Sequence, residues 1–476
     1  MPEIHVCRRA LPAGATAEAY ADALPADREF MLVDSVPVQG RPTRLLAVGA
    51  LLRVVADGDT VVAVDETRRP LPVAAGPDPL ARIMRLLAEL RFTEPLPAPL
   101  RSAFGFLSYE AARGFEKLPG RHARVVPDYL LMVPRAVAAF DVATGDAEVV
   151  GLGRSAAEAA RAADTLAGGR PPATGRPAAA PDRPAGTARD DPVRPSTRPP
   201  VRASFDRDSF ATAVRRAHEY LLDGDIFQVV LSLRWDIATD RSGLDLYRRL
   251  VAVNPSPFQF CYRGRSLAVV GASPEPFVTL RSGRSRLRPL AGTRPRGRTP
   301  ALDRANECEL LGSEKEAAEH RMLVDLARND LGRVCRPGSV LVDEVMVVER
   351  YSHVMHLVSN VVGQLDPEAG AEAVLRACFP AGTMTGAPKV RAMEIIDELE
   401  PAARGYYSGA VGLIAPDELD TYLTIRSAVL RPGTVSLQAG AGIVADSRPE
   451  DEYAECLAKL AATARALGIQ SDRSLA

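Results

Sequence analysis

His353-Val-Met-His356, a short acidic loop, a helix-like run and then Phe379-Pro-Ala-Gly-Thr-Met-Thr-Gly-Ala-Pro-Lys389 make the segment around which the chain is organised. Histidines three apart share a face of a helix but alternate poorly on a strand. The second half is a turn of Gly, Thr and Pro that opens into Val390-Arg-Ala-Met-Glu-Ile-Ile396. Glycine there lets backbone N–H groups approach an anion, and a helix start favours negative charge. The expectation is that segments on either side close a pocket around this one.

The chain has 476 residues, which suggests two or three domains. Apolar residues make up 46% and charged residues 25%, an ordinary globular balance. A net charge of −1 points to neither nucleic acid nor a membrane surface. Cysteines 7, 261, 308, 335, 378 and 456 show no C-x-x-C spacing, so reduced thiols in a cytoplasmic protein are expected. Met1 to Leu24 lacks the apolar core of a signal peptide, and no run reaches the ~20 apolar residues of a spanning helix.

Moving outward, residues 1–165 read as a mixed α/β domain. It has strands at Met31–Ser35, Arg44–Gly49 and Leu130–Phe140, a hairpin at Asp57-Gly58, and a helix at Pro79–Leu90. Residues 166–204 are rich in Pro, Ala and Arg, with little apolar surface to offset the entropy of ordering, and are expected to be a disordered linker. Their arginines read as solvated rather than as a nucleic-acid contact. Residues 205–476 form the larger domain, with helices at Asp208–Asp223, Glu314–Leu331, Ala387–Leu399 and Pro449–Leu467 among many strands. The pattern predicts an α+β fold with antiparallel sheets rather than a βαβ series.

Two helices carry a Glu-x-x-Glu pair, Glu316 with Glu319 and Glu452 with Glu455. Carboxylates at i and i+3 share a helix face. They are either solvated faces or, if they meet, a hard-oxygen site for Mg²⁺. Gly440-Ala-Gly-Ile-Val-Ala445 matches G-x-G-x-x-A but is followed by Asp446-Ser-Arg-Pro-Glu450 instead of a helix start, which weakens a dinucleotide reading. The Gly382 to Lys389 turn lacks the G-K-[ST] of a nucleotide loop, and its hydroxyls and amides suit a carboxylate equally well. Pro289-Leu-Ala-Gly-Thr-Arg-Pro-Arg-Gly297 is an exposed basic turn or part of the same pocket.

In order along the chain, Asp225-Ile-Phe-Gln-Val-Val230, Ala272-Ser-Pro-Glu275, the Pro289 to Gly297 stretch and Lys315-Glu-Ala-Ala-Glu-His-Arg-Met-Leu-Val-Asp-Leu-Ala-Arg-Asn-Asp330 form one set. Val348-Glu-Arg-Tyr-Ser-His-Val-Met-His356, the Gly382 to Glu394 segment, Gln438-Ala-Gly-Ala-Gly-Ile-Val-Ala-Asp446 and Glu452-Tyr-Ala-Glu455 continue it. Jointly they resemble the chorismate-utilising enzymes, most closely component I of anthranilate synthase. Leu32-Val-Asp-Ser35 and Gly105-Phe-Leu-Ser-Tyr109 extend the resemblance into the N-terminal region, which would be a regulatory-type domain.

The resemblance implies antiparallel sheets packed as a sandwich with surrounding helices, and a role for each matching residue. Glu319 and Glu455 would bind Mg²⁺ directly, with Glu316 and Glu452 holding its waters. Arg426, Tyr406, Thr383 and Lys459, with the backbone around Gly440, Ala441 and Gly442 and around Ala291, Gly292 and Thr293, would contact chorismate. Glu275 would give a proton to the departing C4 hydroxyl, and His356 would assist pyruvate loss. Relatives that add water carry a lysine base where this chain has Gln228, and a glutamine amide takes no proton. Ammonia is then the expected nucleophile, delivered by a separate glutamine amidotransferase subunit in a homo- or hetero-oligomer.

Ala291 stands where many aminodeoxychorismate synthases carry a nucleophilic lysine, which leaves amination at C2. The product would be anthranilate, for tryptophan or secondary metabolism. The alternatives are an enzyme stopping at 2-amino-2-deoxyisochorismate, an aminodeoxychorismate synthase, and a non-catalytic tryptophan sensor. Asp34 replaces the glutamate of the family's tryptophan-binding motif, while Ser35 is retained.

Overall fold

The computed structural model describes residues 3–169, 201–253, 256–351 and 354–466. His353 and most of the expected linker (170–200) lie outside the described residues. The strands join in a single hydrogen-bonded network with antiparallel pairings, and helices surround it. This is the α+β, antiparallel architecture expected from the sequence, with the sheets of the two regions joined edge to edge. Phe30–Val38 pairs with Phe258–Arg263, and Ala103–Leu107 pairs with Ala410–Ile414. One continuous apolar core runs beneath both regions.

Local chemistry explains most of these elements. Arg44–Gly49, expected as a short strand, belongs to one long strand, Arg41–Asp57, that runs on to the Asp57-Gly58 turn. Its register against Tyr129–Asp141 shifts between Ala50 and Leu52, just after Gly49, which takes a positive φ of 63°. Pro276–Arg281 and Arg284–Leu287 form a tight hairpin, because Ser282 and Gly283 both take positive φ. Helix Pro79–Ala88 starts at Asp78, whose carboxylate accepts from the Ala81 N–H, and proline occupies its first turn.

The helices Gly243–Val253 and Pro300–Gly312 and the strands His5–Ala10 and Ala147–Gly153 carried no readable signal. Pro300–Gly312 buries only Leu310, so it has no apolar stripe to detect. His5–Ala10 is half-exposed and arginine-bearing, and gains its partner only from the remote Ala147–Gly153. The expected linker also begins too early and ends too late. Helix Ala156–Gly168 extends to its edge, and Val201–Ala203 pairs with Trp235–Ile237. Among the described residues, no helix is long and apolar enough to cross a membrane.

Candidate active site

Two strand pairs frame the site. Gln228–Ala238 runs against Thr434–Ile443, with Val230 opposite Gly442 and Ser232 opposite Gly440. The G-x-G stretch therefore lies inside a strand, which removes the dinucleotide-loop alternative. Small residues are required there. A Cβ on Gly442 would lie 2.5 Å from the Gln228 amide nitrogen, and one on Gly440 would lie 2.8 Å from the Leu231 carbonyl oxygen. The Pro289 to Gly297 stretch likewise forms the strand Leu290–Pro295, paired with Val354–Gln364. Its register shifts at Gly292, which has φ +63°, and this bulge sets Thr293 opposite His356.

Between these frames lies a cavity of about 620 Å³. It is lined by Gln228, Glu275, Ala291, Gly292, Thr293, Glu316, Glu319, His356, Thr383, Arg426, Gly440, Gly442, Glu452, Glu455 and Lys459. Two expected residues are placed elsewhere. Tyr406 packs its ring 5.0 Å from that of Phe106, and the neighbouring Tyr407 faces the cavity instead. Ala441 points into the apolar core, because alternate strand residues face opposite sides. Ser35 belongs to the strand Phe30–Val38.

His356 is buried, with Nδ1 3.0 Å from the Gly292 carbonyl oxygen and 3.0 Å from Thr293 Oγ1. A carbonyl only accepts, so Nδ1 carries the proton and Nε2 keeps a lone pair. Burial lowers the imidazole's pKa, and the Gly292 hydrogen bond opposes this. The ring is therefore neutral near pH 7.

Glu275 is also buried, and burial pushes its carboxyl up to about 8 against the opposing effects of Thr383 and Lys459. Thr383 Oγ1 donates to it at 3.0 Å. The cavity thus holds a neutral base and a carboxylic acid that keeps its proton at neutral pH.

The two Glu-x-x-Glu pairs come to one cavity from helices Glu314–Gly332 and Pro449–Ala466. Burial raises the pKa of Glu319, and the charges of Glu316 and Glu455 raise it further. Glu452 is raised by burial, and by Glu455 against the lowering effect of Ser447. Gln228 Nε2 donates to Glu319 at 3.1 Å, and Arg294 pairs with Glu316 at 3.1 Å. Among the described residues, no three His, Cys, Asp or Glu groups stand close enough to cage an ion by themselves. Mg²⁺ rarely uses such a cage. It takes one or two carboxylates together with water and substrate oxygens, and mutually repelling carboxylates in a partly buried cavity fit that mode.

Arg426 and Lys459 line the same cavity as these carboxylates. Arg426 is half-buried with a positive φ of 49°, and desolvation lowers its guanidinium's pKa. Its Nη1 donates to the Lys459 carbonyl at 2.6 Å, and no carboxylate pairs with it among the described residues. Lys459 Nζ bonds to the Gly440 carbonyl at 2.8 Å and pairs with Glu455 at 2.6 Å. A bidentate anion such as a carboxylate matches an unpaired guanidinium of this kind.

Sequence reasoning missed the support beneath the site. Arg404 is buried and donates at 2.7 Å to both the Met384 and Val230 carbonyls. It pairs with buried Glu400 at 2.6 Å, and Glu400 accepts from Ser232 N–H at 2.8 Å. From the N-terminal region, Glu110 accepts the Arg404 N–H at 2.9 Å and the Gly405 N–H at 3.0 Å. Arginine four residues after glutamate gives no sign of burial in a one-dimensional reading. Removing one partner strands the other charge, so Arg404→Ala is expected to cost about 3–5 kcal/mol in urea unfolding. A loss below about 1 kcal/mol, the surface-pair range, would contradict this account.

A pocket that holds clustered carboxylates, a half-buried guanidinium without a carboxylate partner among the described residues, and an acid–base pair defines an enzyme acting on a small anionic substrate. A family model described as chorismate binding enzyme matches residues 46–465, and the chain belongs to that family. Its enzyme type is that of anthranilate synthase component I, a chorismate-utilising lyase, as the motifs anticipated. It is 45% identical over 394 residues to anthranilate synthase component 1 of Cereibacter sphaeroides, covering 82% of this chain and 78% of that one. It is 42% identical over 459 residues to the protein of that name from Streptomyces coelicolor, covering 93% and 84%.

Among solved structures, anthranilate synthase component I from Streptococcus pneumoniae superposes with a TM-score of 0.75 at 30% identity, covering 90% of this chain and 93% of that one. The menaquinone-specific isochorismate synthase of Escherichia coli shares the fold, with a TM-score of 0.74 at 20% identity and coverage of 99% and 95%.

Proposed function

We propose that the chain catalyses Mg²⁺-dependent amination of chorismate at C2, followed by elimination of pyruvate to give anthranilate for tryptophan or secondary-metabolite synthesis. The observation that carries this reading is the pairing, in one cavity, of a protonated carboxyl at Glu275 with a neutral imidazole at His356. Amination needs an acid for the departing C4 hydroxyl, which leaves as water. The second step needs a base for the ring proton lost on aromatisation.

Arg426 and Lys459 would hold substrate carboxylate. Glu316, Glu319, Glu452 and Glu455 would hold Mg²⁺, which when bound supplies Lewis-acid polarisation. Gln228, buried and bonded to Glu319, cannot take a proton from water, which favours ammonia. Buried Ala291 offers no covalent route. The name component 1, shared by the relatives, supports a second component as the ammonia source, here a glutamine amidotransferase. Six free cysteines support a reducing, cytoplasmic setting.

Incubating the purified chain with chorismate, Mg²⁺ and an ammonium salt is expected to yield fluorescent anthranilate. Glutamine is not expected to replace ammonium without the second component. Consumption of chorismate to a non-aromatic aminated product would favour the enzyme that stops after the first step.

The protonated form of Glu275 is the active one, so its contribution is present at neutral pH and is lost as pH rises through about 8. At constant free NH₃, kcat/KM for chorismate is expected to fall across that range. A profile flat to about pH 9.5 would remove Glu275 as the proton donor.

A further inference from the structure

A second cavity, of about 750 Å³, lies behind the first. Tyr407 and Gln438 line both cavities, so the wall between them is one side chain thick. That wall is held by the buried network beneath the site. Gln438 Nε2 donates to Ser232 Oγ at 2.8 Å, Ser232 bonds to Glu400, and Glu110 clamps the backbone just before Tyr406 and Tyr407.

The rear cavity has a cationic end and an apolar end. Arg404 is neutralised by Glu400. Arg431 gives one hydrogen bond, at 2.8 Å, to the Val125 carbonyl, and among the described residues no carboxylate pairs with it. Arg234 meets Asp236 only at 3.5 Å, and Asp236 already accepts from Ser436 at 2.6 Å. Val125, Val126, Ile237 and Val429 line the rest. An unpaired guanidinium beside aliphatic walls suits a carboxylate carried on an apolar body.

We propose that this rear cavity is a second ligand site, taking a small carboxylate with an apolar body, and that its occupant modulates turnover through the Tyr407–Gln438 wall. The site stands apart from Arg426 and the carboxylates of the catalytic cavity. A ligand there would press on residues that contact the substrate's cavity without competing for it.

The chain contains one tryptophan, Trp235, packed in the apolar core on the strand that sends Arg234 and Asp236 to the rear cavity, so its emission reports on that strand without touching the ligand. Benzoate is the probe, read by equilibrium dialysis of the full chain and by Trp235 emission. Dialysis does not depend on turnover, so its result stands apart from the reaction assigned above. Two equivalents are expected to bind, one in each cavity. Arg426→Gln should abolish the first and spare the second. Arg431→Gln should weaken the second by about tenfold or more, leave turnover without benzoate unchanged, and remove the fluorescence response. Val429→Phe, which fills the cavity and keeps both guanidinium groups, should do the same.

A single equivalent lost in Arg426→Gln would overturn the proposal. Unchanged binding of two equivalents in both rear-cavity variants would do so as well. Inorganic phosphate displacing benzoate as effectively as benzoate itself would overturn the apolar-body assignment. Purely competitive inhibition of the wild-type chain by benzoate would overturn the modulation.

Discussion

Glu319→Gln is expected to lower Mg²⁺-dependent turnover by about two to three orders of magnitude while leaving the chain folded. The substitution keeps side-chain volume and retains an oxygen to accept from Gln228 Nε2, now at 3.1 Å from the carboxylate. What it removes is the charge. Burial and the nearby charges of Glu316 and Glu455 raise the folded-state pKa of Glu319, so its ionised form is the one the fold disfavours. Stability contributed by such a group is present at low pH and lost as pH rises through the folded pKa. Neutralising it should therefore not lower the melting temperature near pH 7. Loss of turnover with an unchanged or raised melting temperature separates a metal-binding role from a structural one. Wild-type turnover with an unchanged Mg²⁺ requirement would end the assignment.

His356→Asn is expected to change which product accumulates. Anthranilate formation should fall by about 10² to 10⁴-fold, the range lost with a general acid–base group. Chorismate consumption should fall less, and a non-aromatic aminated compound should build up. The reason is geometric. Gly292 O and Thr293 Oγ1, each 3.0 Å from Nδ1, fix the ring so that Nε2 is the free base, and burial keeps that base unprotonated near neutral pH. Glu275, which serves the first step, is bonded to Thr383, whereas the imidazole is held by Gly292 and Thr293. Product analysis by chromatography decides the matter. An equal fall in both rates with no intermediate would show that the imidazole does not divide the two steps.

Much of this site could be read from the chain, because its parts are local. Glu316 and Glu319 share a helix face by periodicity, as do Glu452 and Glu455. The Gly382 to Lys389 turn and the Pro289 to Gly297 stretch are contiguous. Where one residue's spacing decides a direction, only the fold supplies it. Tyr406 and Tyr407 are adjacent, and only packing of Tyr406 against Phe106 shows that Tyr407 faces the cavity. Ala441 lies between two glycines that line the cavity, and strand alternation sends it to the core. Gly292 looked like one glycine in a turn, whereas its bulge aligns Thr293 with His356.

From residues alone, the chain disclosed its α+β class, its pairs of carboxylates and its membership in a family of chorismate enzymes. These rest on periodicity and contiguous motifs, which operate over a few residues. Only the folded chain decided that Glu319 and Glu455 share a cavity, that burial drives Glu275 up and His356 down, and that Arg404 ties the Met384 and Val230 backbones together. Each of those depends on desolvation and on contacts between residues far apart in the chain, and linear order encodes neither.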